Sequence, residues 1–420
     1  MTATVMLGAQ WGDEGKGKSV DILAEEADAV ARFQGGPNAG HTLVVNGRKT
    51  ILNQIPSGIL HPKPICILGN GMVVDPVKFL NEIETLETLG LSSVRERIRL
   101  ARNAHIILPL HREMDALMDE DNRVGTTKKG IGPAYADKKY RIGLRVSDIL
   151  SPNFEQKVWE RTHDEPRFTA MMQARPDFVA EMEGFYQACQ ALRPFICDTV
   201  GLLLTMLDEG KSVLIEGAQG TFLDIDHGSY PFVTSSNTTI GGVCTGLGIP
   251  ASAITRVIGI AKAYTTRVGT GPFPTELRDD LGKLLQERGQ EFGAVSGRPR
   301  RCGWFDAPLT RLAIRMNGIT ELWMTKLDIL DTLPEIKVCV GYIDRESNLS
   351  VTASGAIDHL ESVTPVYEIL PGWEKETRSI RHFSQLPRAA QQYIEFIEES
   401  TGVSVTQIGV GPDRDDCVSR

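Results

Sequence analysis

Short apolar runs alternate with helical patterns along the whole chain, and this alternation limits the possible folds more than any other feature of the sequence. Helices between strands return the chain to the same edge of a sheet, so that the strands run parallel. We therefore expect an α/β fold, with a large, mainly parallel central β-sheet flanked by helices and a single domain over residues 1–420. The runs that predict strands are TVMLGA (Thr4–Ala9), ICILGN (65–70), RLARNAHIILP (99–109), SVLIEGAQG (212–220), RVIGIAKAY (256–264), ELWMTKLD (321–328), KVCVGYI (337–343) and SVTQIGVG (404–411).

The segments between these runs carry clear local signals. DPVKFLNEIETLETLG predicts a helix that Asp75 caps, that has Pro76 in its first turn and that ends at Gly90. Residues 176–210 predict one or two long helices, and TLVVNGRKTIL predicts a hairpin closed by Asn46-Gly47. Ligands of open parallel sheets bind at the loops that follow the carboxyl ends of strands. The loops after predicted strands are therefore the candidate sites.

The charge of the chain argues against nucleic acid or a membrane as its partner. The 420 residues carry a formal net charge of −9 at pH 7, and an acidic protein is repelled by phosphate backbones and anionic lipids. No apolar stretch approaches the roughly 18 residues of a membrane span, and MTATVMLGAQ lacks the cationic segment of a signal peptide. The seven cysteines have no CxxC spacing, which indicates neither a disulfide framework nor a zinc site. We expect a soluble cytoplasmic protein.

GAQWGDEGKGKSV, between a predicted strand and a helical pattern, contains the G-x(4)-G-K-[ST] pattern of a phosphate-binding loop. Backbone amides and the following helix N-terminus would hold phosphates there, so the expected sheet is P-loop-NTPase-like, with inserted loops and helical segments. Asp13 and Glu14 are unusual in such a loop, because a bound anion repels carboxylates. A carboxylate fits if it ligates Mg²⁺ or takes a proton from a second substrate. The alternative for Asp13 is a helix cap.

Small residues surround Asn38 and His41 in RFQGGPNAGHTLVV, and they let a ligand approach the backbone closely. His41 could then donate to an oxygen on which charge develops. A single histidine is also common as a structural or merely exposed residue. The glycine-rich sequence that precedes His41 favours the catalytic interpretation.

MTKLDIL contains Lys326 and Asp328 directly after an apolar strand. A carboxylate in this place can accept from both N1–H and the 2-amino group of guanine, whereas adenine offers no matching pair of donors on that edge. The lysine stem can pack across a base. The four residues TKLD are similar to the [NT]KxD element of GTP-binding proteins, and the alternative is a solvated strand end.

Two loops concentrate cations in this acidic chain, VGTTKKGIGPAYADKKYRIGLR (Val124–Arg145) and AVSGRPRRCGW (Ala294–Trp304). Arginine binds carboxylates and phosphates with two parallel hydrogen bonds, so both loops are candidate anion sites. The alternative for each is a solubilising surface loop. A further segment, EGAQGTFLDIDHGSYPFVTSSNTT (Glu216–Thr239), is dense in hydroxyl and amide groups that suit a polar base or sugar.

Taken together, these segments closely resemble the adenylosuccinate synthetase family, from Val5 to about Arg414. The resemblance implies a ligase of purine and AMP biosynthesis. It would convert GTP, IMP and L-aspartate to GDP, phosphate and adenylosuccinate through 6-phosphoryl-IMP, the first committed step from IMP to AMP. The matching segments are QWGDEGKGK (10–18), GGPNAGHT (35–42), GIGPAYADKKYRIGLR (130–145), EGAQGTFLDIDHGSYPFVTSSNTT (216–239), TRVGTGPFPTE (266–276) and TKLD (325–328).

The resemblance implies a role for the carboxylate in the phosphate loop. Asp13 matches the residue that takes the N1 proton of IMP, so that O6 can attack the γ-phosphate of GTP. It also implies one Mg²⁺ ion per active site, ligated by Asp13 and by the backbone oxygen of Gly40. His41 matches the residue that acts as an acid toward the phosphates. The amine of L-aspartate then displaces the phosphate at C6.

The resemblance also implies the residues that contact each substrate, and a homodimer in which Arg141 reaches the IMP site of the other subunit. Those implied for GTP are Gly12, Gly15, Lys16, Gly17, Lys18, Gly40, His41, Thr42, Arg300, Lys326, Leu327, Asp328, Gly409, Val410 and Gly411. Those implied for IMP are Asp13, Glu14, Gly15, Lys16, Asn38, Ala39, Gly40, His41, Thr127, Arg141, Gln219, Thr234, Val268 and Arg298. Those implied for L-aspartate are Ala294, Val295, Ser296, Gly297, Arg298, Pro299 and Arg300.

Some positions depart from the family pattern. Asn53 stands where many members have histidine, and Ser296 replaces a common threonine. Pro299 interrupts the arginine run, and Gly409 replaces a frequent serine. Each departure could alter the affinity for aspartate or GTP, but none removes a proposed catalytic group.

The sequence leaves three alternative functions open, the first of them from another class of protein. The first is a regulatory P-loop GTPase switch that uses the phosphate loop, TKLD and the segment DTVG (198–201), although TKLD lies about 300 residues beyond the phosphate loop and DTVG lies in a helical apolar run. The second is an amide-forming ligase that uses ATP, and Asp328 is the residue that discriminates this alternative from a GTP-dependent enzyme. The third is a catalytically dead homologue, against which the presence of Asp13, Lys16, His41 and Arg298 argues.

Overall fold

A sheet of ten strands runs through the centre of the molecule. The structure is a computed structural model, and it describes residues 2–45, 48–118, 125–165, 175, 177–293 and 297–420. The strands of these ranges are β1 (Thr2–Gly8), β2 (Ala29–Arg32), β3 (His41–Val45), β4 (Arg48–Leu52), β5 (Ile65–Leu68), β6 (Val73–Val74), β7 (Ile98–Ala101), β8 (His105–Ile106), β9 (Ile196–Cys197), β10 (Ser212–Glu216), β11 (Ile254–Lys262), β12 (Thr265–Arg267), β13 (Arg301–Gly303), β14 (Phe305–Asp306), β15 (Glu321–Thr325), β16 (Glu335–Asp344), β17 (Ser350–Val351), β18 (Val363–Pro371), β19 (Ser404–Gly409) and β20 (Cys417–Ser419). The order in the central sheet is β20-β19-β15-β11-β1-β10-β2-β5-β7-β9. Its neighbours pair in parallel except β19 and β20, which confirms the expected mainly parallel sheet.

Helices flank this sheet, as the alternation in the sequence predicts. A smaller sheet, in which β16 pairs with β14, β17 and β18, follows in the C-terminal part of the chain. The helices of the described ranges are α1 (Lys16–Ala24), α2 (Pro76–Thr88), α3 (Val94–Arg97), α4 (Pro109–Met118), α5 (Ile131–Tyr140), α6 (Phe154–His163), α7 (Phe178–Leu192), α8 (Thr199–Asp208), α9 (Ile240–Leu247), α10 (Asp280–Arg288), α11 (Ala307–Asn317), α12 (Ala353–Ala356) and α13 (Arg388–Thr401).

The local predictions are confirmed in most places. Each predicted run contains a strand, although RLARNAHIILP forms both β7 and β8 around a turn. The Asp75 side chain caps α2 by accepting from the Lys78 backbone N–H at 3.1 Å, and the region 176–210 contains α7 and α8. β3 and β4 pair antiparallel as a hairpin, whose predicted closing residues Asn46-Gly47 lie outside the described residues.

The two faces of the central sheet pack into separate apolar layers, because side chains alternate along a strand. In β1, Val5 and Leu7 belong to the larger cluster of buried residues, whereas Met6 belongs to a second cluster. In β10, Ile215 and Leu214 repeat this division. Burial on both faces is typical of central strands in α/β sheets, and it leaves the ends of the strands for function.

The middle of the sheet brings the sequence motifs to one edge. β15, β11, β1, β10 and β2 are consecutive parallel neighbours. The segments that follow four of them hold TKLD (after β15), the phosphate loop (after β1), the polar segment 216–239 (after β10) and GGPNAGHT (after β2). Since parallel strands end on the same side, these motifs converge at the carboxyl edge of the sheet.

Candidate active site

The phosphate loop joins β1 to α1 with a backbone that few residue types adopt without strain. The φ angle is positive at Gly12 (80°), Asp13 (57°) and Gly15 (93°). Gly15 is the N-terminal cap of α1, and it has no side chain that could bond there, so the alternative in which Asp13 caps the helix is wrong. α1 begins at Lys16, and the N–H groups of its first turn have no partner within the helix, which makes them available to phosphates.

The Glu14 side chain folds back into the loop. Its fully buried carboxylate accepts from the backbone N–H of Gln10 (3.1 Å) and of Gly12 (2.8 Å), and from Lys16 Nζ (2.5 Å). These bonds stabilise the tight backbone, and Lys16 balances the charge. Thr325, at the end of β15, donates from Oγ1 to the Glu14 carbonyl (2.5 Å), so the loop is fixed against TKLD. The IMP contact implied for Glu14 stays a prediction.

Asp13 points out of the loop, and its side chain is 33% exposed. Arg300 donates from Nε to Asp13 Oδ2 over 2.6 Å, and from Nη1 to Glu291 Oε2 over 2.8 Å. Within the ranges that the structure covers, no other side chain donates to Asp13, so Oδ1 is left to a ligand. Arg300 thus connects the basic segment 297–301 to the phosphate loop, and the basic segment is more than a solubilising surface loop.

The TKLD lysine joins the same group of residues. Lys326 donates from Nζ to Glu291 Oε1 (2.7 Å) and to the Gly289 carbonyl (2.6 Å). Glu291 is fully buried. One carboxylate therefore connects the TKLD motif to the arginine that holds Asp13.

Asp328 lies in the short 3₁₀ turn Leu327–Leu330 after β15. Its Oδ1 atom is buried and has no hydrogen-bond partner among the described residues. Burial, with a smaller effect of the Asp331 charge, raises the pKa of Asp328 to about 6. A buried acceptor without a partner is costly unless a ligand satisfies it, so Asp328 is not merely a solvated strand end.

The loop Gly409–Gly411, which the resemblance implies for GTP, is attached to the phosphate loop through Lys18. Lys18 Nζ donates to the carbonyls of Gly411 (2.8 Å) and Asp416 (2.9 Å). The charged end of Lys18 therefore lies at the Gly409–Gly411 loop. Within this loop, Val410 is fully buried in the core.

His41 begins β3 and lies against the first turn of α1, since a Cβ atom at Gly17 would be 3.1 Å from the His41 Cβ. The buried ring bonds through Nδ1 to the Glu216 carboxylate. Burial lowers the pKa of His41, and Glu216 opposes this effect. Glu216 is also held by the backbone N–H and the hydroxyl of Ser57, both at 2.7 Å. The pair leaves Nε2 as the ring atom for a ligand.

Gln219 lies between two of the glycine-rich loops. A Cβ atom at Gly12 would be 3.4 Å from Gln219 Cα, and one at Gly35 would be 3.4 Å from Gln219 Oε1. This Oε1 atom is buried and without a hydrogen-bond partner in the described part of the chain. An unpaired amide oxygen here suits a donor group of a ligand.

The two basic loops meet each other and the GGPNAGHT segment. Arg298 donates from Nη1 to the Gly125 carbonyl (2.9 Å), and Lys129 donates from Nζ to the Pro37 carbonyl (2.7 Å). Thr127, between these contacts, is exposed. The first basic loop is therefore also attached to the site.

The remaining predicted residues divide by position. Ala294, Val295 and Ser296 lie outside the described residues. Exposed residues are Arg141, which follows α5, and Gly297 and Pro299, in the basic segment. The half-buried residues are Asn38, Gly40, Thr42, Thr234 and Val268, while Ala39 and Leu327 are buried.

The departures from the family pattern that can be described keep the local structure. Asn53 Nδ2 donates to the Ala39 carbonyl at 2.7 Å, so the substituted side chain still holds the loop that precedes His41. A Cβ atom at Gly409 would meet Thr325 Cα at 3.4 Å, an ordinary contact, so serine and glycine both fit there.

Glu216 and Glu291 belong to the site, although the sequence did not single them out. Glu216 is the last residue of β10, within the predicted run SVLIEGAQG, and Glu291 precedes the basic segment. A carboxylate at the end of an apolar strand was an available signal for Glu216. For Glu291 the chain offered none, because its partners are 9 to 35 residues away along the chain.

The fold and these contacts define a nucleotide-dependent α/β enzyme, with a glycine-rich phosphate loop, a carboxylate whose buried oxygen has no partner among the described residues and a histidine–carboxylate pair at one edge of the sheet. Comparisons with known proteins agree. A model of the adenylosuccinate synthetase family matches residues 5–418. Adenylosuccinate synthetase of Bacillus cytotoxicus is 47% identical, over 99% of this chain and 97% of that protein. The enzyme of Heliobacterium modesticaldum is 45% identical, over 100% and 99%.

A solved structure gives the same result. The structure of fully ligated adenylosuccinate synthetase from Plasmodium falciparum matches with a TM-score of 0.92 at 39% identity, over 99% of each chain. The chain therefore belongs to the adenylosuccinate synthetase family. It is a GTP-dependent ligase of purine and AMP biosynthesis that joins IMP to L-aspartate and forms adenylosuccinate.

The alternative functions are not supported. In the DTVG segment, Asp198 caps α8 by accepting from the Gly201 N–H at 3.2 Å, so the segment has a helical role rather than a switch role. The family assignment likewise gives no support to an ATP-dependent amide ligase. None of the helices that the structure describes has the length and apolar character of a membrane span.

Proposed function

We propose that Asp13 and His41 catalyse the ligation in two steps at the carboxyl edge of the sheet. In the first step, Asp13 takes the N1 proton of IMP while O6 bonds to the γ-phosphorus of GTP. The bond from this phosphorus to the bridging oxygen breaks, and GDP leaves. In the second step, the amine of L-aspartate attacks C6 of 6-phosphoryl-IMP, the C6–O6 bond breaks, and O6 leaves with the phosphate, which takes up the proton that the amine nitrogen loses. The product is adenylosuccinate.

The observation that carries this proposal is the chain of contacts from Asp13 through Arg300 and Glu291 to Lys326. This chain of contacts joins Asp13, the proposed base, to the proposed guanine-reading motif TKLD. The link is Arg300, which the resemblance implies for both L-aspartate and GTP. The base, the phosphoryl donor and the incoming amine would then meet in one place, as phosphoryl transfer requires.

His41 is the proposed acid toward the phosphates. Glu216 fixes its ring by bonding to Nδ1, which leaves Nε2 to donate when the imidazole is protonated. In the free protein, burial lowers the pKa of His41. Phosphate charge next to the ring would raise the pKa again, so GTP binding would prepare the acid.

Asp328 is the proposed guanine reader. Its unpaired buried Oδ1 supports this role, because the N1–H and 2-amino group of guanine would supply the missing donors. Lys326, whose Nζ is held by Glu291, would place its stem across the base. The Gly409–Gly411 loop, attached through Lys18, would close the other side.

The remaining polar groups of the site would bind IMP and L-aspartate. The unpaired Gln219 Oε1 supports an IMP contact between the two glycine-rich loops. Arg298, which lies next to the Gly125–Thr127 segment, would contact both IMP and aspartate. Residues 294–300 would fold over the aspartate.

The proposed metal is one Mg²⁺ ion held by Asp13 and by the Gly40 carbonyl. Both are hard oxygen donors, and Asp13 Oδ1 is the oxygen that Arg300 does not occupy. In the described ranges no cluster of three or more His, Cys, Asp and Glu could hold a metal. Phosphates and water would therefore complete the coordination, which suits Mg²⁺. When bound, the ion neutralises charge on the phosphates.

We also propose a cytoplasmic homodimer in which each chain is one domain. Exposed apolar residues flank Arg141, since Tyr140 is 74% and Ile142 is 51% exposed, and this supports an interface there. The central sheet takes strands from Thr2 to Ser419, which supports one domain. The net charge of −9 supports small-molecule substrates rather than nucleic acid or a membrane.

The test is phosphate release with IMP, L-aspartate, GTP and Mg²⁺, with each component left out in turn and with ATP in place of GTP. We expect release only when all components are present, equal amounts of phosphate and adenylosuccinate, and little activity with ATP. Release from GTP alone, indifferent to IMP and aspartate, would contradict the proposed chemistry.

A further inference from the structure

Glu291 is a buried carboxylate with three cationic partners. Its Oε1 accepts from Lys326 Nζ at 2.7 Å, and its Oε2 accepts from Arg300 Nη1 at 2.8 Å. Lys262 Nζ is 2.9 Å from both oxygens, and the Tyr264 hydroxyl donates to Oε1 at 2.5 Å. The sequence motifs do not include this carboxylate, and the proposed chemistry uses it only as a link between Arg300 and Lys326.

The partners of Glu291 fall into two groups. Lys262 and Tyr264 come from β11 and the residues after it; both are fully buried, so they anchor the carboxylate to the core. Lys326 and Arg300 come from two different loops at the edge of the sheet. Each of them also belongs to, or contacts, a proposed substrate-binding group: Lys326 is part of TKLD, and Arg300 donates to Asp13 Oδ2 at 2.6 Å.

The charges make the arrangement depend on Glu291. The neighbouring cations keep the pKa of Glu291 low in spite of its burial, which opposes them. Burial lowers the pKa of Lys262 to about 8, although Glu291 opposes that effect. Without the carboxylate, three cations would face one another with little water between them, and Lys326 and Arg300, which come from loops, would move apart.

We propose that Glu291 is a positioning residue that couples the guanine subsite to the aspartate subsite and Asp13, by holding Lys326 on one oxygen and Arg300 on the other. The inference rests on the proposed roles of Lys326, Arg300 and Asp13. Glu291 itself touches no substrate. It keeps Arg300 in place when substrate binding releases the guanidinium from Asp13, and it keeps Lys326 extended for the base.

The first test is Glu291→Gln, which keeps the shape but replaces one oxygen by a donor that faces a cation. We expect KM for GTP and KM for L-aspartate each to rise about 10- to 100-fold, the range of a lost charged hydrogen bond. We expect KM for IMP to stay within about threefold, because no proposed IMP side chain contacts Glu291. A merely structural role would lower the active fraction, and hence kcat, without this split between substrates.

The matched control is Glu276→Gln. Glu276 binds Arg301, the neighbour of Arg300, at 2.5 and 2.7 Å, so the variant removes an equally short carboxylate–arginine pair from the same segment. It reaches neither Asp13 nor Lys326. We expect all three KM values of this variant to remain within about threefold of wild type.

The second test is a double-mutant cycle on GDP binding, measured by calorimetry without turnover. Lys326→Met removes the amine that Glu291 holds, so in that background Glu291→Gln should cost less GDP affinity than it does in the wild type, because only the Arg300 contact remains to be lost. Two independent effects would multiply instead. If Glu291→Gln does not fold, Glu291→Asp keeps the charge on a shorter stem, and the same split in KM is expected.

The outcomes separate this inference from the proposed function. If the wild-type protein forms no adenylosuccinate from its three substrates, the proposed function fails. If the wild type is active and a folded Glu291→Gln or Glu291→Asp protein keeps the KM values for GTP and aspartate, the inference is overturned. Multiplicative losses in the GDP cycle would overturn it as well.

Discussion

The Asp328 carboxylate has a buried oxygen without a partner among the described residues, and its pKa is raised to about 6, chiefly by burial. Protonation at lower pH would remove the acceptor that the proposed guanine contact needs. We therefore expect KM for GTP to rise as pH falls through about 6, by up to tenfold per pH unit. The measurement is KM for GTP between about pH 5 and about pH 8.

Asp328→Asn is the control for this prediction, because GTP phosphates also titrate in this range. The variant should have a higher KM for GTP and a shallower dependence on pH. If KM for GTP depended on pH equally in the wild type and in Asp328→Asn, titration of Asp328 would not explain the dependence, and the prediction would be wrong.

His41 also depends on a single buried partner, Glu216. An acid must be protonated, so kcat should fall as pH rises through the pKa of His41. Burial lowers this pKa, and the Glu216 carboxylate opposes the effect, with Arg32 and Lys16 as nearby cations that lower it. Glu216→Gln should therefore move the fall in kcat to lower pH. If kcat of Glu216→Gln fell at the same pH as in the wild type, the pairing of His41 with Glu216 would be contradicted.

The second prediction for this residue concerns the size of kcat. His41→Asn should reduce kcat about 100- to 1000-fold.

The phosphate loop allows a prediction at the scale of an element. Gly15 caps α1 at φ 93°, so Gly15→Ala should cost about 1–2 kcal/mol of unfolding free energy and disturb the amides that are proposed to bind the phosphates. Gly90, after α2, has φ 85° and open space around it. Gly90→Ala is therefore a control with a similar backbone cost. Only Gly15→Ala should raise KM for GTP; an equal effect of both on KM would contradict the assignment.

The sequence was sufficient where structure is set locally. The strand, glycine loop and helix of residues 2–24 follow from a continuous pattern, and α2 follows from the Asp75 and Pro76 signals. β2 was missed because its four buried residues form too short a run, and packing between β10 and β5 decides its structure. Glu291 was missed because contacts across the fold, rather than neighbours in the chain, make it a site residue.

At the scale of the whole molecule, the proposed dimer places Arg141 in the site of the other subunit. We expect Arg141→Ala and Asp13→Asn to be inactive alone, because each removes a group from every site. After their subunits are exchanged, a mixed dimer would have one site with neither substitution. An equal mixture should then regain roughly a quarter of the wild-type activity. No recovery, with exchange verified by mass, would contradict a shared site.

The central claim is that Asp13 activates IMP for attack on GTP before aspartate takes part. The most direct measurement is positional isotope exchange in GTP labelled with ¹⁸O at the β,γ-bridge, with IMP and Mg²⁺ but without aspartate. We predict exchange in the wild-type protein that requires IMP, and none in Asp13→Asn. Exchange in Asp13→Asn at the wild-type rate, or exchange without IMP, would contradict the account.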